Sequence, residues 1–267
     1  MPESSPATSA SSALARTIVG VEFSEGVGYL TLVPPPGKPP TLDVSVLEEL
    51  EAAITDLEAN ACRAVVVRSA SDKYFCVGAN LEVLKNTDAD SIVPWVMLGH
   101  RVLNRLEDLP CPVIARVDGF AMGGGLELAM SCDLIFAAET ARLGQTEAKL
   151  GFIPGWGGCR RLADRVGVST AKKLFFTGRV LNGGEAERCG LVDFSGTTEE
   201  LEREMAATLE AIGGNSRYAL ATFKKLLAAK DCGERERNAA AEALQSRGCL
   251  LDSETLERLE AFLNRRK

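Results

Sequence analysis

Short apolar runs alternate with helical stripes along the first two thirds of the chain. Val27–Val33, 64–68, Val113–Val117 and Leu134–Ala138 are runs of five to seven residues dominated by branched aliphatic side chains. Apolar runs of that length suit strands covered on both faces. Between the first two lies a helical stripe over 43–60, with Val46, Leu47, Leu50, Ile54 and Leu57 on one face and a possible Ser45/Glu48 capping box. The repeat is close to strand, strand, helix, which predicts crossover units. After Gly196 the pattern becomes helical throughout: 199–212 behind a Thr197/Glu200 capping box, then 217–230, 234–251 and 253–266. This divides the chain into a tail over 1–15, a core over 16–196 and a helical module over 197–267. The apolar faces of that module are expected to cover the core or a neighbouring subunit.

Composition narrows the classes. Of 267 residues, 46% are hydrophobic and 25% charged, so a sizeable core is available. The formal charge of −7 provides no basic field for nucleic acid or an anionic membrane surface, and no apolar stretch approaches the ~20 residues of a membrane span. Eight scattered cysteines without a C-x-x-C pair are expected to be reduced core residues of a cytoplasmic protein. The tail is Ser-, Ala- and Pro-rich; Arg16 is its nearest base, which argues against a mitochondrial transit peptide.

The chemistry concentrates around glycines. Gly123-Gly124-Gly125 precedes Glu127, and Glu147 follows twenty residues later inside Gly144-Gln145-Thr146-Glu147. Glycines can turn backbone N–H groups toward a ligand, and a helix starting there adds the positive end of its dipole, which suits a developing oxyanion. Alone, Glu127 is a commonplace first-turn acid; two acids flanking glycines in an apolar region are more costly without a task. Tyr74-Phe75-Cys76-Val77-Gly78-Ala79-Asn80 adds a strand-to-helix loop in which Asn80 can cap the next helix. His100, the single histidine, reads as an ordinary helix residue, which counts against a Ser-His-Asp hydrolase and histidine-rich zinc sites. The glycine run fits neither a P-loop nor G-x-G-x-x-G.

In order, Phe75-x-x-Gly78-Ala79-Asn80, Pro112 to Asp133 with Gly123-Gly124-Gly125-x-Glu127, Gly144-Gln145-x-Glu147-x-x-x-Gly151-x-x-Pro154-Gly155-x-Gly157-Gly158 and Leu174-x-x-Thr177-Gly178 resemble the crotonase, or enoyl-CoA hydratase/isomerase, superfamily, over roughly 17–267. The resemblance implies an α/β spiral of ββα units with a C-terminal helical module that builds trimers, usually paired into hexamers. It implies oxyanion-hole N–H groups from Ala79 and Gly124, catalytic acids Glu127 and Glu147, and Gly155 holding the water and acids through its backbone. Lys38, in the Pro34–Pro40 loop, would meet the CoA phosphates. The substrate would be an acyl-CoA thioester, with coenzyme A part of the substrate and no separate cofactor or metal. Keeping both acids favours hydration; dehydration or isomerisation of a branched acyl-CoA or acyl-carrier-protein thioester is the alternative within enzymes, and a non-catalytic or RNA-binding relative the alternative outside them. Asn80, Glu82, Trp156 and Cys159-Arg160 depart from the usual pattern. An indole at Trp156 is expected either to narrow the acyl pocket or to pack into the core.

Overall fold

The structure, a computed structural model, describes residues 16–229 and 232–265. The predicted tail over 1–15 lies outside the described residues, as do Lys230 and Arg266 at two expected helix ends.

The chain opens with the antiparallel pair β1 (Ile18–Ser24) and β2 (Val27–Val33), followed by α1 (Val44–Ala59). The next unit is β3 (Ala64–Ser69), β4 (Tyr74–Cys76), α2 (Leu81–Lys85) and α3 (Ile92–Glu107). Then come β5 (Val113–Val117), β6 (Phe120–Met122) and α4 (Gly124–Met130). A fourth unit has β7 (Leu134–Ala138), β8 (Arg142–Gly144), a 3-10 turn over Glu147–Leu150, α5 (Gly158–Val166) and α6 (Val168–Thr177). The core closes with β9 (Leu181–Asn182), α7 (Gly183–Arg188) and β10 (Phe194–Gly196). The successive pairs β3/β4, β5/β6 and β7/β8 each give one strand to either sheet: a large sheet ordered β1-β2-β3-β5-β7-β10 and a small one ordered β4-β6-β8-β9. This is the spiral of ββα units that the family resemblance implies.

The α-helices of the C-terminal region are α8 (Thr198–Gly214), α9 (Arg217–Ala229), α10 (Cys232–Cys249) and α11 (Ser253–Asn264). Leu201 and Met205 of α8 lie on Val66, Ile114 and Phe136, the outer face of the large sheet, while the inner face joins the main core. That double cover is why β3, β5 and β7 are apolar without alternation. α10 packs on α3 and α11 on α2, so both helices cover the same chain's core.

Local chemistry sets the helix ends. Thr197 and Glu200 form the expected capping box, and Asn80 caps α2 by accepting from the Glu82 N–H. The cap of α1 differs from expectation. Asp43 accepts from the Val46 N–H, and Ser45 donates its hydroxyl to Asp43 at 2.7 Å, because a carboxylate two residues earlier is the stronger acceptor. The cysteines also divide differently from expectation. Cys62, Cys76, Cys111 and Cys132 are buried, but Cys159, at the start of α5 and beside Glu242, retains an exposed surface. Burial pushes the Cys76 thiol up to about 12.

Candidate active site

Two loops meet where the small sheet ends. Gly78 has φ +83°, and a Cβ there would stand 2.7 Å from the Gly124 nitrogen, so only glycine lets these segments touch. The contact sets Ala79 beside the first residue of α4. Leu42 pins the Ala79 loop from the other side: its N–H donates to the Gly78 carbonyl, and its own carbonyl accepts from Asn80. The Pro34–Pro40 loop leads directly into Leu42. Lys38 is exposed at its tip, on a turn closed by its N–H on the Pro35 carbonyl.

Glu127 lies in the first turn of α4, as the sequence predicts, and is 1% exposed. Its Oε1 accepts two backbone N–H groups, from Trp156 at 2.8 Å and Gly158 at 2.7 Å. These two N–H groups follow Gly155 by one and three residues in the same turn, and Gly155 itself lies near Val96 and Ser246. Glu147 stands at the head of the 3-10 turn, half-buried as a residue but with Oε2 enclosed and without a partner. Its Oε1 accepts from Gln145 Nε2 at 2.8 Å and lies against Gly123. Gln145 is buried, and its amide nitrogen shares the space over Gly158 with Glu127 Oε1. The amide that holds Glu147 thus lies in the same corner as Glu127. It sits inside the Gly-Gln-x-Glu motif, which was its only signal in the sequence.

Burial is the first cause acting on both acids. It raises the Glu127 carboxyl well above the ordinary range, helped by the charges of Glu147 and Glu242 and opposed by the two N–H bonds. It raises Glu147 to about 7, against the hydrogen bonds from its own backbone and Gln145. Each acid keeps one oxygen outside these hydrogen bonds, and together they can hold and release a proton near neutrality.

Trp156 is 4% exposed, and its ring occupies the space a side chain on Gly124 or Gly99 would need: a Cβ at either would stand 2.2–2.3 Å from indole atoms. Trp95 of α3 lies behind it, ring centroids 6.1 Å apart. The indole therefore both packs into the core and floors the Gly124 corner. His100 differs from its expected role as a plain helix residue. It is 4% exposed, with Nε2 2.9 Å from Glu242 of α10. An unpaired buried imidazole would be costly, so the hidden face of α3 required a polar partner.

A sequence model described as Enoyl-CoA hydratase/isomerase matches residues 22–267. The chain belongs to that family. It is 34% identical over 227 residues to the short-chain-enoyl-CoA hydratase of Clostridium acetobutylicum, covering 85% of this chain and 87% of that protein. It is 41% identical over 152 residues to the mouse mitochondrial methylglutaconyl-CoA hydratase, covering 57% of this chain; the matched part spans about half of the mouse protein, 48%. The solved enoyl-CoA hydratase of Bacillus anthracis superposes with a TM-score of 0.74 at 32% identity, covering 92% of this chain and 96% of that one. The fold is also that of the Bacillus halodurans enoyl-CoA hydratase, with a TM-score of 0.85 at 24% identity over 91% of this chain and 99% of that one.

Proposed function

We propose that this protein is an enoyl-CoA hydratase, adding water reversibly and with syn geometry across the double bond of a 2-enoyl-CoA thioester, or removing it from a 3-hydroxyacyl-CoA. The observation that carries the reading is the close pair of enclosed acids, Glu127 and Glu147, beside the Gly78/Gly124 contact. In this reading the Ala79 and Gly124 N–H groups polarise the thioester oxygen, which makes C3 electrophilic and holds the charge that develops on the enolate. The water oxygen bonds to C3 and its proton passes to one carboxylate. The other, protonated, carboxyl gives its proton to C2, so the site ends the turnover with as many protons as it began with. An acid pair that retains a proton near neutrality supports this, because hydration needs one member ionised and the other not.

Three further assignments belong to the same reading. Lys38 contacts the CoA phosphates, supported by its exposed place on the loop that leads into the Ala79 corner. Gly155 helps hold the attacking water. The protein assembles as trimers or paired trimers, supported by the apolar side chains Phe176, Tyr218, Phe223 and Leu226 left exposed on α6 and α9. Among the described residues no helix is long and apolar enough to cross a membrane.

The test is a panel of crotonyl-, methylcrotonyl-, methylglutaconyl- and longer enoyl-CoAs, read by the gain of one water in the product mass. The methylglutaconyl ester is included because of the mouse relative. Hydration of at least one member at enzymatic rate is expected; double-bond migration without water gain throughout would replace hydration by isomerisation.

A further inference from the structure

The helical module delivers a third carboxylate to the site. Arg235, Ala239, Glu242, Ala243 and Ser246 form a buried stripe along α10, whose alanines let the helix approach α3 closely. Glu242 is 5% exposed, and its Oε2 accepts the Gly157 N–H at 2.8 Å while meeting His100 Nε2 at 2.9 Å. Its Oε1 is buried without a hydrogen-bond partner. The three successive N–H groups of Trp156, Gly157 and Gly158 therefore point alternately to two acids, the outer pair to Glu127 and the middle one to Glu242. Arg161 closes the turn from below through the Trp156 carbonyl at 2.6 Å.

We propose that Glu242, seated on His100, is a positioning residue of the active site: it fixes the Trp156–Gly158 turn from the side opposite Glu127 and places a third carboxylate behind the Glu127–Glu147 pair. The inference rests on the hydratase reading for its kinetic consequence but not for its geometry. The groups facing Glu242 are His100 from α3, Cys159 from α5, and Glu127 and Glu147 from the catalytic side. Arg160, Arg161 and Arg235 line the hollow around His100; each pairs with Glu107, and Arg161 also reaches the Trp156 carbonyl. The charge of Glu242 raises both Glu127 and Glu147.

The experiment compares wild type with Glu242→Gln in steady-state hydration across pH. Loosening the turn should lower kcat about 10- to 100-fold, with KM little changed because the CoA contacts are elsewhere. Removing the negative charge should move both limbs of the pH profile to lower pH. An unchanged kcat and pH profile in folded Glu242→Gln would overturn the proposal, as would a change in stability alone. If Glu242→Gln does not fold, His100→Gln and His100→Leu make the same comparison. The amide keeps a donor for Glu242 and should retain turnover that the leucine variant loses, and equal turnover in the two would count against it. Carbon-13 NMR of the Glu147 carboxyl, assigned with Glu147→Gln, reads the charge effect without turnover. Its titration should move down in pH in Glu242→Gln, and an unmoved titration refutes the proposal even if wild type hydrates none of the thioesters, a result that would sink only the hydratase reading.

Discussion

Glu107 and the Glu127–Glu147 pair are both largely withdrawn from solvent, and they are built in opposite ways. Glu107, at the end of α3, is surrounded by Arg160, Arg161 and Arg235, and although burial alone would raise its carboxyl, the three guanidiniums bring it below the ordinary range. Glu127 and Glu147 have no Lys or Arg partner among the described salt bridges; they are held by backbone N–H groups and one amide, and burial drives them up. Burial is common to both groups. The neighbours decide whether an acid becomes a fixed anion tying α3, α5 and α10 together or a group that trades protons.

The comparison breaks first on turnover. Glu127→Gln and Glu147→Gln should each lower kcat for hydration roughly 10²- to 10⁴-fold, because each removes a proton-transfer group while an amide can still accept the existing N–H bonds. Near-native kcat in either purified, folded variant would remove that acid from the mechanism. Glu107→Gln should behave differently. It leaves three guanidiniums around a neutral amide and should lower unfolding free energy by about 2–4 kcal/mol, discounted for the partial exposure of Glu107. Its kcat at a temperature where it remains folded should stay close to wild type. Chemical denaturation and initial rates on the same sample separate the two effects.

The two acid groups also differ in how legible they were in the sequence. Glu127 and Glu147 stand in glycine-rich segments whose composition only a close backbone approach explains, and the strands β2, β5 and β7 follow from apolar runs covered on both faces. The three-residue strands β4, β6 and β8 lack the length to show a period. β1 was missed because it is an edge strand with most residues partly exposed. Glu242 and His100 each look ordinary within their own helix, and only the packing of α10 on α3 brings them together across 142 positions. An acid in an alanine-rich helix is usually a solvated residue. Here the alanines mark a close helix contact, and that signal is readable only once the partner helix is known.

Trp156 joins the catalytic corner to the helix wall, so its truncation tests how separable these regions are. The indole rests on Gly124 and Gly99. If it floors the acyl site, Trp156→Ala should shift the ratio of kcat/KM values toward longer acyl chains, each accommodated methylene being worth about 1–3 kcal/mol. The same deletion opens a cavity in the core and should lower stability, so the chain-length profile, rather than absolute rate, is the readout. A profile parallel to wild type in a folded sample would assign the indole to packing alone.

The finest test sets the acid groups against each other in the pH dependence of stability. Glu147 is raised in the folded protein from an ordinary 4.5 to about 7. Folding therefore favours its protonated form. That contribution is fully present below the ordinary value and is lost as pH rises through about 7. An amide at this position does not titrate, so Glu147→Gln should match wild type in acid and become the more stable protein as pH rises, by roughly 3 kcal/mol near pH 8. Glu107 is lowered, so its contribution has the opposite sign: it is present at neutral pH and lost as pH falls through the lowered value. The deficit of Glu107→Gln should therefore shrink in acid, where that of wild type over Glu147→Gln vanishes. Thermal melts of the three proteins across the pH range check this directly. A Glu147→Gln advantage that is constant with pH would mean that the Glu147 carboxyl titrates as an exposed acid, and the contrast between the two groups would then be one of charge partners without a difference in proton affinity.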